Sequence, residues 1–429
     1  MTDPRATPPH DERLGSQAVV LVFLVFAVTY FLSALVRAIT ATLSPTLSAE
    51  LLLSPGDLGL LAGGYFFGFA LTQLPLGRWL DRHGPKQVLL AFLGVAVIGC
   101  VAFAAAHSFT GLLAARVLTG MGLSACLMAP LTGFRRWFTP SVQLRANSWM
   151  LMTGSMGMVA ATLPVQWLMP VLGWRGLFWL LAVLIVVAMG VSAWTLPPWR
   201  QGVAAPDEEP GAPVPEAVDY RQIWRNPYFR TMLPVGFVNY GGMVAIQTLW
   251  AGPWMVNVGG HTPAEAAAGL FAINLSMLCA FWTWGVVNPH LARHGWRPET
   301  LIGWGLPISL LVLLAIVVMG AQAGWLMWAL FCVSSTFVSL SQPAVAMALP
   351  LHAAGRALSA FNLVIFGGVF VLQWGIGLAI DAFGHAGLGQ ADSYRAAVAV
   401  FGLCGVAAYG AFWRGWRRIE RDRAATLRA

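Results

Sequence analysis

The chain alternates long apolar runs with short polar breaks. A helix needs about 20 apolar residues to cross a bilayer. By that measure the runs predict twelve transmembrane helices, at about 17–41, 58–80, 87–107, 110–134, 145–169, 175–196, 230–254, 265–288, 299–320, 324–348, 357–380 and 394–414. Gly, Pro and charged clusters fill the breaks. One break is longer than the rest. Pro197 to Pro227 is proline-rich and carries Asp207, Glu208 and Glu209, so it reads as a flexible linker between two six-helix halves. Its end, Asp219 to Arg230, is amphipathic and reads as a stretch on the membrane surface. The expected organisation is a tail at 1–17, a bundle at 18–196, a linker at 197–229, a second bundle at 230–414 and a basic tail at 415–429. The first apolar run is too long for a signal-peptide core and lacks a small-residue cleavage site.

Composition narrows the class. The 429 residues are 58% hydrophobic and 10% charged, against about 25% charged in soluble domains. That argues against a water-soluble enzyme, and 20 Trp with 24 Phe argue against disorder. The reading is an all-α integral membrane protein surrounded by lipid. Cys100, Cys126, Cys279, Cys332 and Cys404 lie in apolar runs without metal-ligand spacing and read as small hydrophobes. No histidine pair, phosphate-binding Gly-Lys-Ser/Thr loop or nucleophile–base set is recognisable. No metal, no cofactor, no direct ATP drive and no enzymatic activity are expected.

The net charge of +8 changes meaning once the charges are placed. With the N-terminus inside, all but four of the 25 Lys and Arg fall on inside segments. Arg175 and Arg395 fall outside; Arg37 and Arg116 fall within spans. The bias predicts both termini in the cytoplasm and an even number of spans. It removes the nucleic-acid reading of a basic chain. Lys86 is the sole lysine, a compositional hint of a GC-rich bacterial source and so of the bacterial cytoplasmic membrane. The halves are also related. A shift of 211 residues carries Arg82-His83-Gly84 onto Arg293-His294-Gly295, Arg145-Ala146 onto Arg356-Ala357, Ser148 onto Ser359 and Gly173 onto Gly384. A duplicated six-helix unit predicts a site near the midplane between the halves.

Between the second and third spans stands GRWLDRHGPK, Gly77 to Lys86. It resembles the signature loop of the major facilitator superfamily: Gly, three residues, Asp-Arg, one residue, Gly, then basic residues. Gly77, Asp81, Arg82, Gly84 and Lys86 match, and Pro85 stands where a basic residue is usual. The second half keeps NPHLARHGWR, Asn288 to Arg297, with Ala292 at the Asp position. RVLTGMG, Arg116 to Gly122, is similar to a second family motif, and GWRGLFW, Gly173 to Trp179, is typical of the turn before helix 6. The resemblance implies two pseudo-symmetric six-helix bundles, secondary transport of a small solute by alternating access, and a monomer. It implies that Gly77, Asp81, Arg82, Gly84 and Lys86 form a conformational latch on the cytoplasmic side. Helix 5 reads GSMGMVAATLP, unlike the Gly-Pro then Gly-Gly pattern of many drug/proton antiporters. The stretch from Arg37 to Pro45, with the loop and helix that follow, resembles the organic-anion symporters, in which a helix 1 Arg binds substrate. Helix 4 departs from them: Ser124, Ala125 and Cys126 stand where those symporters often carry a proton-accepting Glu. A coupling proton or cation is therefore left open.

A charge at the centre of a span costs at least ~2.5–3.5 kcal/mol. Arg37 and Arg116 are expected in the outer halves of their spans, and none of the 17 acids lies mid-span, Asp381 coming closest. Two guanidinium groups without a carboxylate partner attract anions. The expected substrate is a small organic anion. Arg37, Arg116, Tyr30, Gln247 and Trp250 are the candidate binding residues. Snorkelling of Arg37 and a structural role for Arg116 are the competing readings. Tyr65, Asn239, Tyr240, Asn274, Gln342, Asn362 and Gln373 are weaker candidates, whose simpler role is hydrogen bonding between helices. Glycines four apart, Gly59/Gly63 and Gly64/Gly68, read as helix-packing positions. The rival functions are a polyspecific efflux pump, a non-transporting membrane sensor on the same fold and, third, a membrane-embedded enzyme.

Overall fold

The computed structural model describes residues 14–199, 220–349 and 351–426. Every regular element among them is helical. Twelve helical runs follow one another: α1 (Ser16–Leu51), α2 (55–83), α3 (85–105), α4 (Phe109–Trp137), α5 (140–172), α6 (174–195), α7 (227–257), α8 (Pro263–Arg293), α9 (Pro298–Met319), α10 (Trp325–Met347), α11 (Leu351–His385) and α12 (Gln390–Thr426). Among the described residues nine helices are long and apolar enough to span a bilayer. The remaining three crossings are interrupted. α2 breaks at Thr72 and α5 at Ala161–Thr162. α7 contains two π-helical stretches, Val235–Tyr240 and Ile246–Trp250.

The twelve runs fall on the twelve predicted spans, and the differences lie at the ends. The polar segment between α2 and α3 is not the loop that was expected. The chain stays helical to His83, turns at Gly84 alone (φ +76°) and restarts at Pro85. Glycine tolerates that positive φ, and proline suits a first helical position. At the repeat-related position between α8 and α9, Gly295 has φ +79°, so the duplication is visible in the backbone. α1 runs ten residues beyond its expected end, which puts Arg37 close to the helix midpoint. α12 continues through most of the expected basic tail. The acidic patch Asp207–Glu209 lies outside the described residues. Just after it, Tyr220–Arg225 forms a short helix leading into α7.

Two hydrophobic clusters form, one mostly within each half. The halves meet along α2 and α11, with further seams between α1 and α7 and between α5 and α8. α2 serves both directions through its glycines. A Cβ on Gly59 would stand 2.3 Å from the Gln373 carbonyl of α11, and one on Gly68 would stand 2.0 Å from the Val117 carbonyl of α4. On the side away from the basic residues the halves are clasped. The Asp381 carboxylate at the end of α11 accepts from Ser54 Oγ (2.9 Å) and from the Gly56 N–H (2.8 Å) at the start of α2.

Candidate substrate site between the halves

α1, α2, α4 and α7 converge on Arg37. The residue is partly exposed, while its Nε is enclosed and has no hydrogen-bond partner. The groups that act on it are the phenols of Tyr30, Tyr65 and Tyr240, with no carboxylate among them, and it acts in turn on the Cys126 thiol. Tyr240 comes from the second half, so the set spans the seam. Tyr30 is placed by α5: Gly154 leaves the room its ring fills, since a Cβ there would lie 2.4 Å from the ring. Tyr240 begins a chain of polar groups. Its hydroxyl donates to Gln342 Oε1 (3.2 Å), and Gln342 Nε2 donates to Asn362 Oδ1 (2.6 Å), linking α7, α10 and α11.

Arg116 is held differently. It is 1% exposed. One terminal nitrogen donates to the Val36 carbonyl (3.3 Å) and the other to Thr40 Oγ1 (2.8 Å), both on α1. The guanidinium also lies 5.2 Å from the centroid of the Tyr65 ring. Its contacts tie α4 to α1 within the first half. Gln247 and Trp250 fall in a separate network of the second half. Gln247 Nε2 donates to Asn274 Oδ1 (3.0 Å) and Trp250 Nε1 to the Gln373 carbonyl (3.1 Å), and both side chains are buried. The structure thus brings Tyr30 to Arg37 and adds Tyr65 and Tyr240, while Arg116, Gln247 and Trp250 sit in other contacts. The π-helical stretches that carry Asn239, Tyr240, Gln247 and Trp250 had no signal in the sequence beyond the glycine pair Gly241-Gly242 between them.

The GRWLDRHGPK segment is built as follows. Gly77 faces Ser359 of α11. Asp81 is approached by the charges of Arg356, from the second half, and Arg135, at the end of α4. Partial desolvation raises its carboxyl above the usual carboxylate range, and the two arginines oppose the shift. Lys86 donates to the Leu196 carbonyl (2.8 Å) at the end of α6. Trp199 packs against Gly84 and lies beneath the Arg136 guanidinium at 4.2 Å. Arg82 also takes part in an interaction.

The family model described as Major Facilitator Superfamily matches residues 26–373. The "Probable L-galactonate transporter" of Escherichia coli K12 is 28% identical over 186 residues, 42% of this chain and 39% of that protein. The multidrug resistance protein MdtL of Escherichia coli is 28% identical over 174 residues, 39% of this chain and 42% of that protein. The chain thus matches less than half the length of these curated relatives. A bacterial homologue of the human lysosomal transporter Spinster, solved inward-facing and unoccupied, superposes with a TM-score of 0.77 at 17% identity, over 95% of this chain and 99% of that one. A D-xylose–proton symporter superposes with a TM-score of 0.72 at 13% identity, over 92% and 97%.

Proposed function

The chain belongs to the Major Facilitator Superfamily, and on that premise we propose that it is a secondary transporter of a small organic anion, whose carboxylate binds Arg37. The observation that carries this reading is the setting of Arg37: a guanidinium near the middle of α1, ringed by phenols from both halves, with no carboxylate among the described residues acting on it. An intramembrane charge whose partners are neutral, as Arg37 has in its hydrogen bond with Tyr30, is costly, and an arginine fork matches a carboxylate in geometry. The Tyr240–Gln342–Asn362 chain supplies donors and acceptors from the second half, which suits hydroxyl groups on the same substrate. A hydroxylated carboxylate therefore fits better than a simple fatty acid. The likeness to a protein named as an L-galactonate transporter agrees with this. The equal likeness to MdtL does not favour a drug pump, because Arg37 repels the cations that such a pump would meet.

Arg116 is, in this reading, a positioning residue that holds α1 against α4. The Gly77, Asp81, Arg82, Gly84 and Lys86 segment acts as a latch between the halves on the cytoplasmic side. The arginine bias supports cytoplasmic termini and a bacterial inner membrane, and the protein works as a monomer. The test is a thermal-shift panel of purified protein against aldonates, dicarboxylates and lipophilic cations, followed by flux into proteoliposomes with and without a pH gradient. Stabilisation by a hydroxylated carboxylate, and saturable flux of it, is the expected result. Stabilisation by lipophilic cations and not by carboxylates would overturn the anion assignment. Binding without flux would favour a sensor.

A further inference from the structure

The segment entering α7 makes a second feature, beside α7 and α11 of the second half. In the helix Tyr220–Arg225, Ile223 is fully buried and the Tyr220 hydroxyl donates to the Leu74 carbonyl of α2 (3.3 Å). Trp224 stays exposed and meets the Phe229 ring edge-on at 5.3 Å. Asn226 caps the start of α7 by accepting from the N–H groups of Tyr228 and Phe229. Beside this elbow lies an open crevice of about 470 Å³, bounded by Trp224, by Leu233, Pro234, Phe237 and Val238 of α7 and by Leu363 of α11. None of these side chains but the Trp224 indole has a polar atom to orient a hydrophilic ligand.

Three exposed arginines stand at its basic end. Arg221 precedes Trp224 by one helical turn, and Arg230 precedes Leu233 and Pro234 by one turn, so each shares a face with the crevice lining. Arg225 adjoins Trp224. None of the three makes an ion pair among the described residues. We infer that the crevice is a binding site for an anionic phospholipid, one acyl chain lying along α7 between Trp224 and Leu363 and the phosphate meeting Arg221, Arg225 and Arg230. The apolar lining calls for a hydrocarbon chain, and the arginines beside it, Arg221 and Arg230 one turn before lining residues and Arg225 next to Trp224, call for a negative headgroup. Neither feature alone selects such a lipid; their adjacency across the short helix Tyr220–Arg225 and the start of α7 does. The crevice also borders the π-helical stretch Val235–Tyr240, so a bound chain would brace the backbone that presents Tyr240 to Arg37.

Native mass spectrometry of the purified full chain tests the assignment. The probes are dioleoyl phosphatidylglycerol, dioleoyl phosphatidylcholine and glycerol 3-phosphate, the last carrying a phosphate with no chain. A basic group at an anionic surface contributes about fivefold in binding. The expected result is at least tenfold tighter binding of phosphatidylglycerol than of phosphatidylcholine, and no retention of glycerol 3-phosphate. The R221Q/R225Q/R230Q variant should lose at least tenfold, and Leu363→Trp, which fills the crevice, should lose as much without touching a charge. R221K/R225K/R230K keeps the charge and should keep most of the preference, which guards against a loss caused by misfolding. Binding by R221Q/R225Q/R230Q within twofold of wild type would overturn the site. So would equal loss from R414Q/R418Q/R421Q on α12, or unchanged binding by Leu363→Trp, since either would reduce the effect to general charge attraction. Retention of glycerol 3-phosphate would assign the arginines to a free phosphate instead.

Discussion

A guanidinium inside an apolar bundle needs acceptors, and Arg37 and Arg116 meet that need in different ways. Arg116 finds them within the protein, at Val36 and Thr40. Arg37 keeps part of its surface open and has phenols around it. Truncation separates the two roles. On the proposed anion reading, Arg37→Ala removes one partner of a desolvated charge pair, an effect of about 2–5 kcal/mol, so apparent affinity for the proposed anion should fall by about 30-fold or more while the melting temperature changes little. Arg116→Ala leaves two acceptors on α1 unpaired and opens a cavity, costing ~2–4 kcal/mol of stability. The protein that remains folded should keep its affinity within about twofold. Uptake kinetics and thermal unfolding of the two variants read these outcomes directly. The sequence shows both residues as charges in apolar runs; it cannot show that the terminal nitrogens of Arg116 are bonded to α1, because Val36 and Thr40 lie some 80 positions away, and the Nε atoms of both arginines are buried without a partner.

Helices were legible because length and hydropathy alone decide whether a segment can span lipid, and the arginine alternation checked the count. Glycine spacing on α2 was legible too: Gly59 and Gly63 face α11, Gly64 and Gly68 face α4. The shortness of the break at Gly84 was not, since polar residues such as Asp81 and Arg82 read as loop although they continue a helix. Nor were the π-helical stretches of α7, the first of which packs against α11 and α12 and the second mainly against α1, partners distant in sequence. The glycine reading yields a contrast. Gly94 of α3 has no atom within 4 Å of a would-be Cβ, so Gly94→Ala should stabilise by about 0.5–1 kcal/mol. Gly68→Ala would press a methyl onto the Val117 carbonyl and should cost at least ~1–3 kcal/mol. Thermal unfolding in detergent compares the two. The contact between the ends of α1 and α6 is a second element-scale feature, absent from the sequence reading. Glu50 accepts from Arg175 and from Trp174 Nε1, and the Arg175 bond, with the Trp174 bond after it, holds the Glu50 carboxyl below the usual range. A depressed carboxylate stabilises the fold above its ordinary value near 4.5 and loses that contribution as pH falls through its folded value. Glu50→Gln should therefore be less stable than wild type at pH 7 by under ~1 kcal/mol, given its exposure, and the gap in melting temperature should close as pH is taken below 4.

At the scale of the whole molecule, the proposed transport requires the halves to part on the side where they are now clasped. There α1 touches α7 at Ala41 and Gly252, the ends of α2 and α11 interlock at Gly59 and Gly377, and Asp381 draws in the Ser54 hydroxyl and the Gly56 N–H. Packing of small residues sets how closely the helices approach, but on this side, among the described residues, the Asp381 contacts are the ones both polar and confined to the seam, so they are the part that a substitution can weaken without disturbing either bundle. A charged acceptor is roughly twice as strong as a neutral one. Asp381→Asn should therefore weaken closure by about 1–1.5 kcal/mol, a shift of about tenfold toward the state open on that side. The shift is read from Ala41→Cys, 4% exposed on α1, in a background without the five native cysteines. Its labelling by a membrane-impermeant maleimide should speed up by about tenfold when Asp381→Asn is added, and an anion that binds Arg37 from that side should bind more tightly. Unchanged labelling would mean that close packing of α2 on α11 holds the seam by itself. In that case Gly377→Ala, which presses a methyl onto the Pro55 carbonyl, is the substitution that should open it.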